Sequence, residues 1–440
     1  MPAYDRYSPG PFHSPLSRRA ALRTFAGAAG LAALGPALAA CGSSTPGSAA
    51  PNVVSFGSNY SDAAPKAAFA GMIAAAGKAT GLTVKINTVD HNTFQNDITS
   101  YLQGTPNDVF TWFAGYRMQY FAQQGLVHNL NAVWDKIGGH FSDSIKAACK
   151  GLDGNYYIVP IYNYPWVVFY RKSVFASKGY AIPTTWAEWM TLLKQAQRDG
   201  FVPLAFGDKD KWEAPGTFDI INMRLNGYAF HMDLMKHKVK WTDSRVADVF
   251  AYWAKMLPYV QTGANGRIWE DAATLFENKK ALMMFQGTDQ VAAAFSSADL
   301  PDLDFFPFPQ INPAYGQDSV DAPIDGFMMP ASPKNLAGGE KLLEYIGTPT
   351  AEKVYLEKDS SDVGVASDMD TSAYNAVQKK SVEIIKNTKN IAQFMDRDSV
   401  PGFIDNVVEP QIQQFITNGG SGISSVLSTI EGQAGQYFTG

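Results

Sequence analysis

Residues 52–113, NVVSFGSNYSDAAPKAAFAGMIAAAGKATGLTVKINTVDHNTFQNDITSYLQGTPNDVFTWF, carry the pattern that sets the fold class. Asn52 to Ser58 is a short apolar run ending in small residues, which suits a buried strand. Pro65, tolerated in the first turn of a helix, is followed by an apolar stripe of Ala68, Phe69, Met72, Ile73, Ala75 and Ala76 that stops at Gly77 to Gly81. Leu82, Val84 and Ile86 then alternate with Thr83, Lys85 and Asn87, the period of a strand. Phe94, Ile98 and Leu102 recur every fourth residue up to Gly104, a second helix, and Asp108 to Phe113 returns to strand. The order β-α-β-α-β predicts an α/β fold whose parallel strands are joined by right-handed crossovers in a doubly wound sheet.

Ligands of such sheets bind beyond the carboxyl ends of the strands. That rule selects Ser58 to Asp62, Asp90 to Asn92 and Trp112 to Arg117, each carrying an aromatic, an amide or a charge. No G-x-G-x-x-G or G-x-x-x-x-G-K-[ST] stretch occurs, so the site is not built for a dinucleotide or a nucleotide phosphate. Further along, Thr184, Thr185 and Glu188 read as a capping-box start, with Trp186, Trp189 and Leu193 on one helical face as core. Gly154 to Tyr170 is uncharged but broken by Pro160 and Pro165, so it reads as extended chain crossing from one lobe to another. Ala281 to Phe285 is a second apolar strand and Ser319 to Met329 a third, irregular apolar segment.

At roughly 100–200 residues per domain, 440 residues allow two or three domains with ample cores. Aromatics reach 13 % (27 Phe, 20 Tyr, 9 Trp), more than a core of this size needs, so part of them is available to line a binding surface. A net charge of -5 repels nucleic acid rather than recruiting it. Two cysteines and six scattered histidines supply neither a disulfide framework nor a zinc set, and no metal or cofactor is expected.

The N-terminus reads S-R-R-A-A-L-R at Ser17 to Arg23, then an uncharged stretch from Thr24 to Ala40, then L-A-A-C ending at Cys41. Seventeen uncharged residues with several glycines and a proline are too short and too weakly apolar to span a membrane. Charge pair, apolar run and cysteine in this order resemble a bacterial lipoprotein signal of twin-arginine type, although Ala21 stands where Phe is usual. The reading makes residues 1–40 a signal peptide, Cys41 the lipidated first residue and 41–51 a flexible tether, with the body held on the outer face of the cell membrane. A disordered alanine-rich tail is the alternative. Cys149 is then the remaining thiol and reads as a buried small apolar residue.

Beyond this leader, the segments TPNDVFTWFAG (Thr105 to Gly115), FAQQGLV (Phe121 to Val127), DGNYYIVP (Asp153 to Pro160), FYRKSVF (Phe169 to Phe175), PTTWAEW (Pro183 to Trp189) and DAPIDGF (Asp321 to Phe327) occur in a telling order. In that order and spacing the chain resembles the solute-binding lipoproteins of bacterial sugar-importing ABC transporters, the class that includes maltose-binding protein. The resemblance implies a type II periplasmic-binding-protein fold: two α/β lobes, each a doubly wound sheet with flanking helices, joined by hinge strands around a sugar-binding cleft. Carried over, the hinge crossings fall near Ile158 to Tyr164, Phe285 to Gly287 and Gly347 to Thr350. Lobe 1 would then be 52–160 plus 287–347, and lobe 2 161–286 plus 348–440. A monomer that delivers its sugar to permease subunits, with no catalysis, is what the family implies.

A pyranose offers a C–H face and a hydroxyl rim, so its site needs flat apolar surfaces and planar polar groups. The aromatic candidates are Tyr60, Trp112, Tyr162, Trp166, Trp212 and Trp269; those for the rim are Asn59, Asp90, Asn92, Arg117, Asp210 and Asp325. Several tryptophans suggest a di- or oligosaccharide. The rival function is a secreted lipoprotein glycoside hydrolase, which needs two carboxyls roughly 5–10 Å apart; the spacing of Asp321 and Asp325 suggests such a pair, but proximity in sequence does not establish one, and with 41 acids such pairs arise by chance.

Overall fold

The computed structural model describes residues 51–438. The expected signal peptide, Cys41 and nearly all of the tether lie outside the described residues. Strand β1 (Val53–Ser58) runs into the helix Ala63–Thr80, strand β2 (Thr83–Thr88) into the helix His91–Gln103, and β3 (Val109–Phe113) follows. Both β2 and β3 pair with β1 in parallel, as the periodicity predicts. The anticipated stripes are buried: Ala68, Phe69, Met72, Ile73 and Ala76 on the first helix, Phe94, Ile98 and Leu102 on the second. Ile86 stays 39 % exposed because β2 is the edge strand and has a neighbour on one side only.

The remaining strands are β4 (Val159–Asn163), β5 (Trp166–Arg171), β6 (Val202–Ala205), β7 (Ala281–Gly287), β8 (Leu303–Phe306), β9 (Ser319–Asp321), β10 (Ile324–Met328), β11 (Val363–Gly364) and β12 (Asn390–Ala392). One sheet has the order β11-β4-β10-β3-β1-β2, a second β6-β7-β5-β8, and β12 pairs with β9 in a third, two-stranded sheet. The first sheet is mixed, since β10 lies antiparallel between β3 and β4. Gly326 makes that insertion fit: a Cβ there would sit 2.3 Å from the Val159 carbonyl oxygen.

Sheet membership moves the expected crossings. β4 belongs to the first sheet and β5 to the second, so the chain passes over at Tyr164 and Pro165, at the far end of the segment expected. The second crossing does not lie near Gly287. That residue caps the helix Thr288–Ala294, and β8 still pairs with β5, from Val168 opposite Phe306 to Arg171 opposite Leu303. The return runs instead through β9 into β10. Nor does the chain cross at Gly347 to Thr350, where Thr348 caps the helix Pro349–Leu356 by accepting from the Ala351 N–H. That helix packs on Ala63–Thr80, and β11 still pairs with β4; the crossing comes after Gly364, before the helix Ala376–Asn387 that packs on β8. A proline after a glycine marks a helix start as readily as a hinge, and here it marks the former.

The capping box of Thr185 and Glu188 forms, and Trp189 is fully buried beneath the helix Trp186–Arg198. Cys149 is buried and unpaired. Two carboxyls are enclosed as well. Burial pushes Glu352 up to about 8, with the Ala366 and Val365 N–H groups pulling the other way, and pushes Asp398 up to about 7 despite the Gln393 N–H. Both bind protons more tightly folded than unfolded, so their contribution is greatest in acid and is lost as pH rises through 7 and 8. Burial lowers His91 to about 4 and His231 to about 3, an opposing effect confined to pH below the ordinary histidine value of 6.5. Between pH 6.5 and 8 unfolding free energy is therefore expected to fall by about 2 kcal/mol. Denaturant titrations across that range check this, and a Glu352→Gln variant should flatten the slope; a stability that rises over the range contradicts it.

Candidate functional site

A cleft of about 770 Å³ opens where the carboxyl ends of the first sheet face the second. From the first sheet come Asn59 and Tyr60 after β1, Asp90 and Asn92 at the start of the helix His91–Gln103, Tyr162 on β4 and Asp325 on β10. Trp166 on β5, Asp210, Trp212 and Trp269 line it from the other side. Asp90 is also the cap of its helix, accepting from the Thr93 N–H and hydroxyl.

Trp166 is held edge-on by Phe394, with ring centroids 4.8 Å apart at 80°, and by Trp212 at 6.3 Å. Gly216 leaves room for it, since a Cβ there would fall 2.9 Å from the indole. Tyr162 stacks on Tyr355 at 5.3 Å and donates its hydroxyl to Asp325 Oδ2 at 3.2 Å. Arg397 donates from Nη1 to Asp325 Oδ1 at 2.6 Å and from Nη2 to the Tyr164 hydroxyl at 2.9 Å, with its guanidinium 3.9 Å from the Phe113 ring centroid. Burial alone would drive that guanidinium toward neutrality, but Asp325, Tyr164 and Asp396 hold it charged. Phe394, at the base of this group, has a φ of 75°, a conformation that costs a side-chain-bearing residue on the order of 1–3 kcal/mol and that the surrounding structure must impose.

Two expected site residues do not reach the cleft. Trp112 is 1 % exposed, between the rings of Phe94, Phe113 and Phe121. All of β3 is buried, and the alternation of side chains along it turns Trp112 into the layer under the neighbouring helix. Arg117 sits in the first turn of the helix Tyr116–Gln123 with its guanidinium 5.3 Å from the Trp112 ring. It donates to Asp396 at 3.1 Å, Asp405 at 3.2 Å and Gln95 at 3.0 Å, so both of its Nη atoms serve protein acceptors. Asp321, the other half of the suggested carboxylate pair, is fully buried on β9 and does not line the cleft.

Sequence reading missed His91, Gln95, Tyr164, Asp289, Asp359, Asp362, Phe394 and Arg397, all of which line the cleft. The stretches DSSD (Asp359 to Asp362) and FMDRD (Phe394 to Asp398) were the available signal, being dense in charge within a chain only 18 % charged. Burial raises the Asp325 carboxyl, with Arg397 opposing. Burial, reinforced by neighbouring carboxyls, places Asp289 and Asp362 well above the ordinary range. Aromatic faces beside a fixed donor and several acceptors are the equipment for holding a polyhydroxylated ring. Among the described residues no group of three or more His, Cys, Asp or Glu is arranged to hold a metal ion.

Known proteins agree with this architecture. The sequence profile of bacterial extracellular solute-binding proteins matches residues 60–353. An uncharacterised ABC transporter extracellular-binding protein of Pyrococcus horikoshii is 24 % identical over 306 residues, 68 % of each chain. The multiple sugar-binding protein of Streptococcus mutans is 23 % identical over 249 residues, 53 % of this chain and 59 % of that one. Among solved structures, the bacterial solute receptor AcbH, described as having an exclusive substrate preference for β-D-galactopyranose, superposes with a TM-score of 0.86 at 55 % identity, covering 88 % of this chain and 99 % of that one. A chitin oligosaccharide binding protein, 21 % identical with a TM-score of 0.77 over 88 % of this chain and 99 % of that one, shares the fold. The chain belongs to the bacterial extracellular solute-binding protein family.

Proposed function

We propose that the protein captures a single β-D-galactopyranose in the cleft and delivers it to the permease of an ABC importer, without chemical change. The observation that carries the reading is the Asp325–Arg397 fork beside Trp166: a donor and an acceptor fixed next to a flat apolar face. The choice of sugar is supported by the 55 % identity to a receptor described as preferring that pyranose. One ring replaces the di- or oligosaccharide expected from the tryptophan count, a count that included the core residue Trp112. A glycoside hydrolase is not favoured, since the matching family and the similar proteins are binding proteins and receptors.

The body is held, in this reading, on the outer face of the membrane through acylated Cys41, supported by Arg18, Arg19 and the Leu38 to Cys41 run. Cys41→Ser should move the protein from the membrane to the soluble fraction; unchanged retention contradicts the anchor. For the sugar, thermal shifts with mono-, di- and trisaccharides are the test. Galactose at a hundred times its Kd should stabilise the protein by about 2.7 kcal/mol, with other hexoses and longer sugars far behind. A shift produced only by oligosaccharides overturns the single-ring reading.

A further inference from the structure

The electrostatics of the cleft are one-sided. Among the described residues that line it, Arg397 is the one arginine or lysine, and its charge is already paired with Asp325, with Nη2 donating to the Tyr164 hydroxyl. His91 is held neutral, lowered to about 4 by burial and by Arg397. Facing them are Asp289, Asp359 and Asp362, contributed by the helix Thr288–Ala294 and the loop before β11. Burial first, and then the carboxyls of Asp359, Asp289 and Asp325, push Asp362 well above the ordinary carboxylate range, and none of these neighbours is a cation. Asp362 is 2 % exposed, and its Oδ1 has no hydrogen-bond partner among the described residues; the same holds for Asn59 Oδ1, also 2 % exposed. Both residues line the cleft, and an enclosed acceptor without a donor costs stability.

A hydroxyl supplies one donor and no charge; an ammonium supplies three donors and the positive charge that these carboxyls lack. Rings at Trp166, Trp212 and Phe394 add faces toward which a cation is attracted. We propose that the cleft takes amino-substituted pyranoses in their protonated form as a further ligand class, and excludes pyranoses bearing a carboxylate or phosphate. The proposal rests on the galactose reading, because the amine takes the place of one hydroxyl on the same ring. A uronate would bring a carboxylate into a cleft whose one guanidinium is already paired with Asp325, so its charge finds no free cation and entry costs its desolvation.

Calorimetric titrations of the protein with galactose, galactosamine, 6-amino-6-deoxygalactose and galacturonate at pH 6.5 separate the two claims. Absence of galactose binding removes the functional reading itself. With galactose bound, at least one amino sugar should bind within tenfold of it or more tightly, and at least hundredfold more tightly than galacturonate. Galacturonate binding as well as the amino sugars, or rejection of both amino sugars, overturns the proposal. Asp362→Asn and, as an independent variant, Asp359→Asn should each lower the ratio of amino-sugar to galactose affinity about tenfold. An unchanged ratio in both also overturns it.

Discussion

Replacing Arg397 by Met should abolish sugar capture, lowering affinity at least hundredfold, and should cost on the order of 3–5 kcal/mol of stability. The guanidinium is buried, paired with Asp325 and Tyr164, and packed on Phe113. Methionine keeps much of the side-chain volume but removes the charge and every donor, leaving Asp325 enclosed with only the Tyr162 hydroxyl as partner. The unpaired carboxyl then takes up a proton, so the variant should lose less stability in acid than at neutral pH. Denaturant titration and calorimetry measure the two effects. A variant that folds and binds galactose with native affinity would remove Arg397 from the site.

Trp112→Ala should cost on the order of 3–5 kcal/mol of folding stability through the cavity it leaves, while the protein that remains folded binds sugar within a few fold of native. The indole is enclosed by Phe94, Phe113 and Phe121 and carries the Arg117 guanidinium on its face. Arg117 in turn holds Asp396, the residue next to Arg397, so some loss of affinity is transmitted, but no ring is taken from the cleft. A large loss of affinity with unchanged stability would return Trp112 to the binding surface.

Trp112 also shows where the sequence stops being legible. In a central strand buried on both faces every residue is apolar, so alternation cannot say which side chains point at the ligand end and which at the helix layer. Where the signal is local it reads well: the β1 to β3 unit follows from periodicities within a few turns, and the strand-end rule reaches Asn59, Tyr60, Asp90 and Asn92, which do line the cleft. Long-range pairings leave no such trace. β10 inserts beside β3, whose residues lie some two hundred positions earlier, and Arg397 reaches the cleft from a four-residue helix, Met395–Asp398, with no hydrophobic period to announce it. The crossings were displaced for the same reason, since Gly287 and Pro349 punctuate helices within a lobe as readily as passages between lobes.

Titration calorimetry with D-galactose, followed by recovery of the sugar, bears most directly on the cleft as a site of capture without chemistry. One galactose should bind per chain, displaced by no disaccharide at equal concentration and recovered chemically unchanged. No heat of binding at millimolar galactose, or a sugar recovered in altered form, would contradict the account.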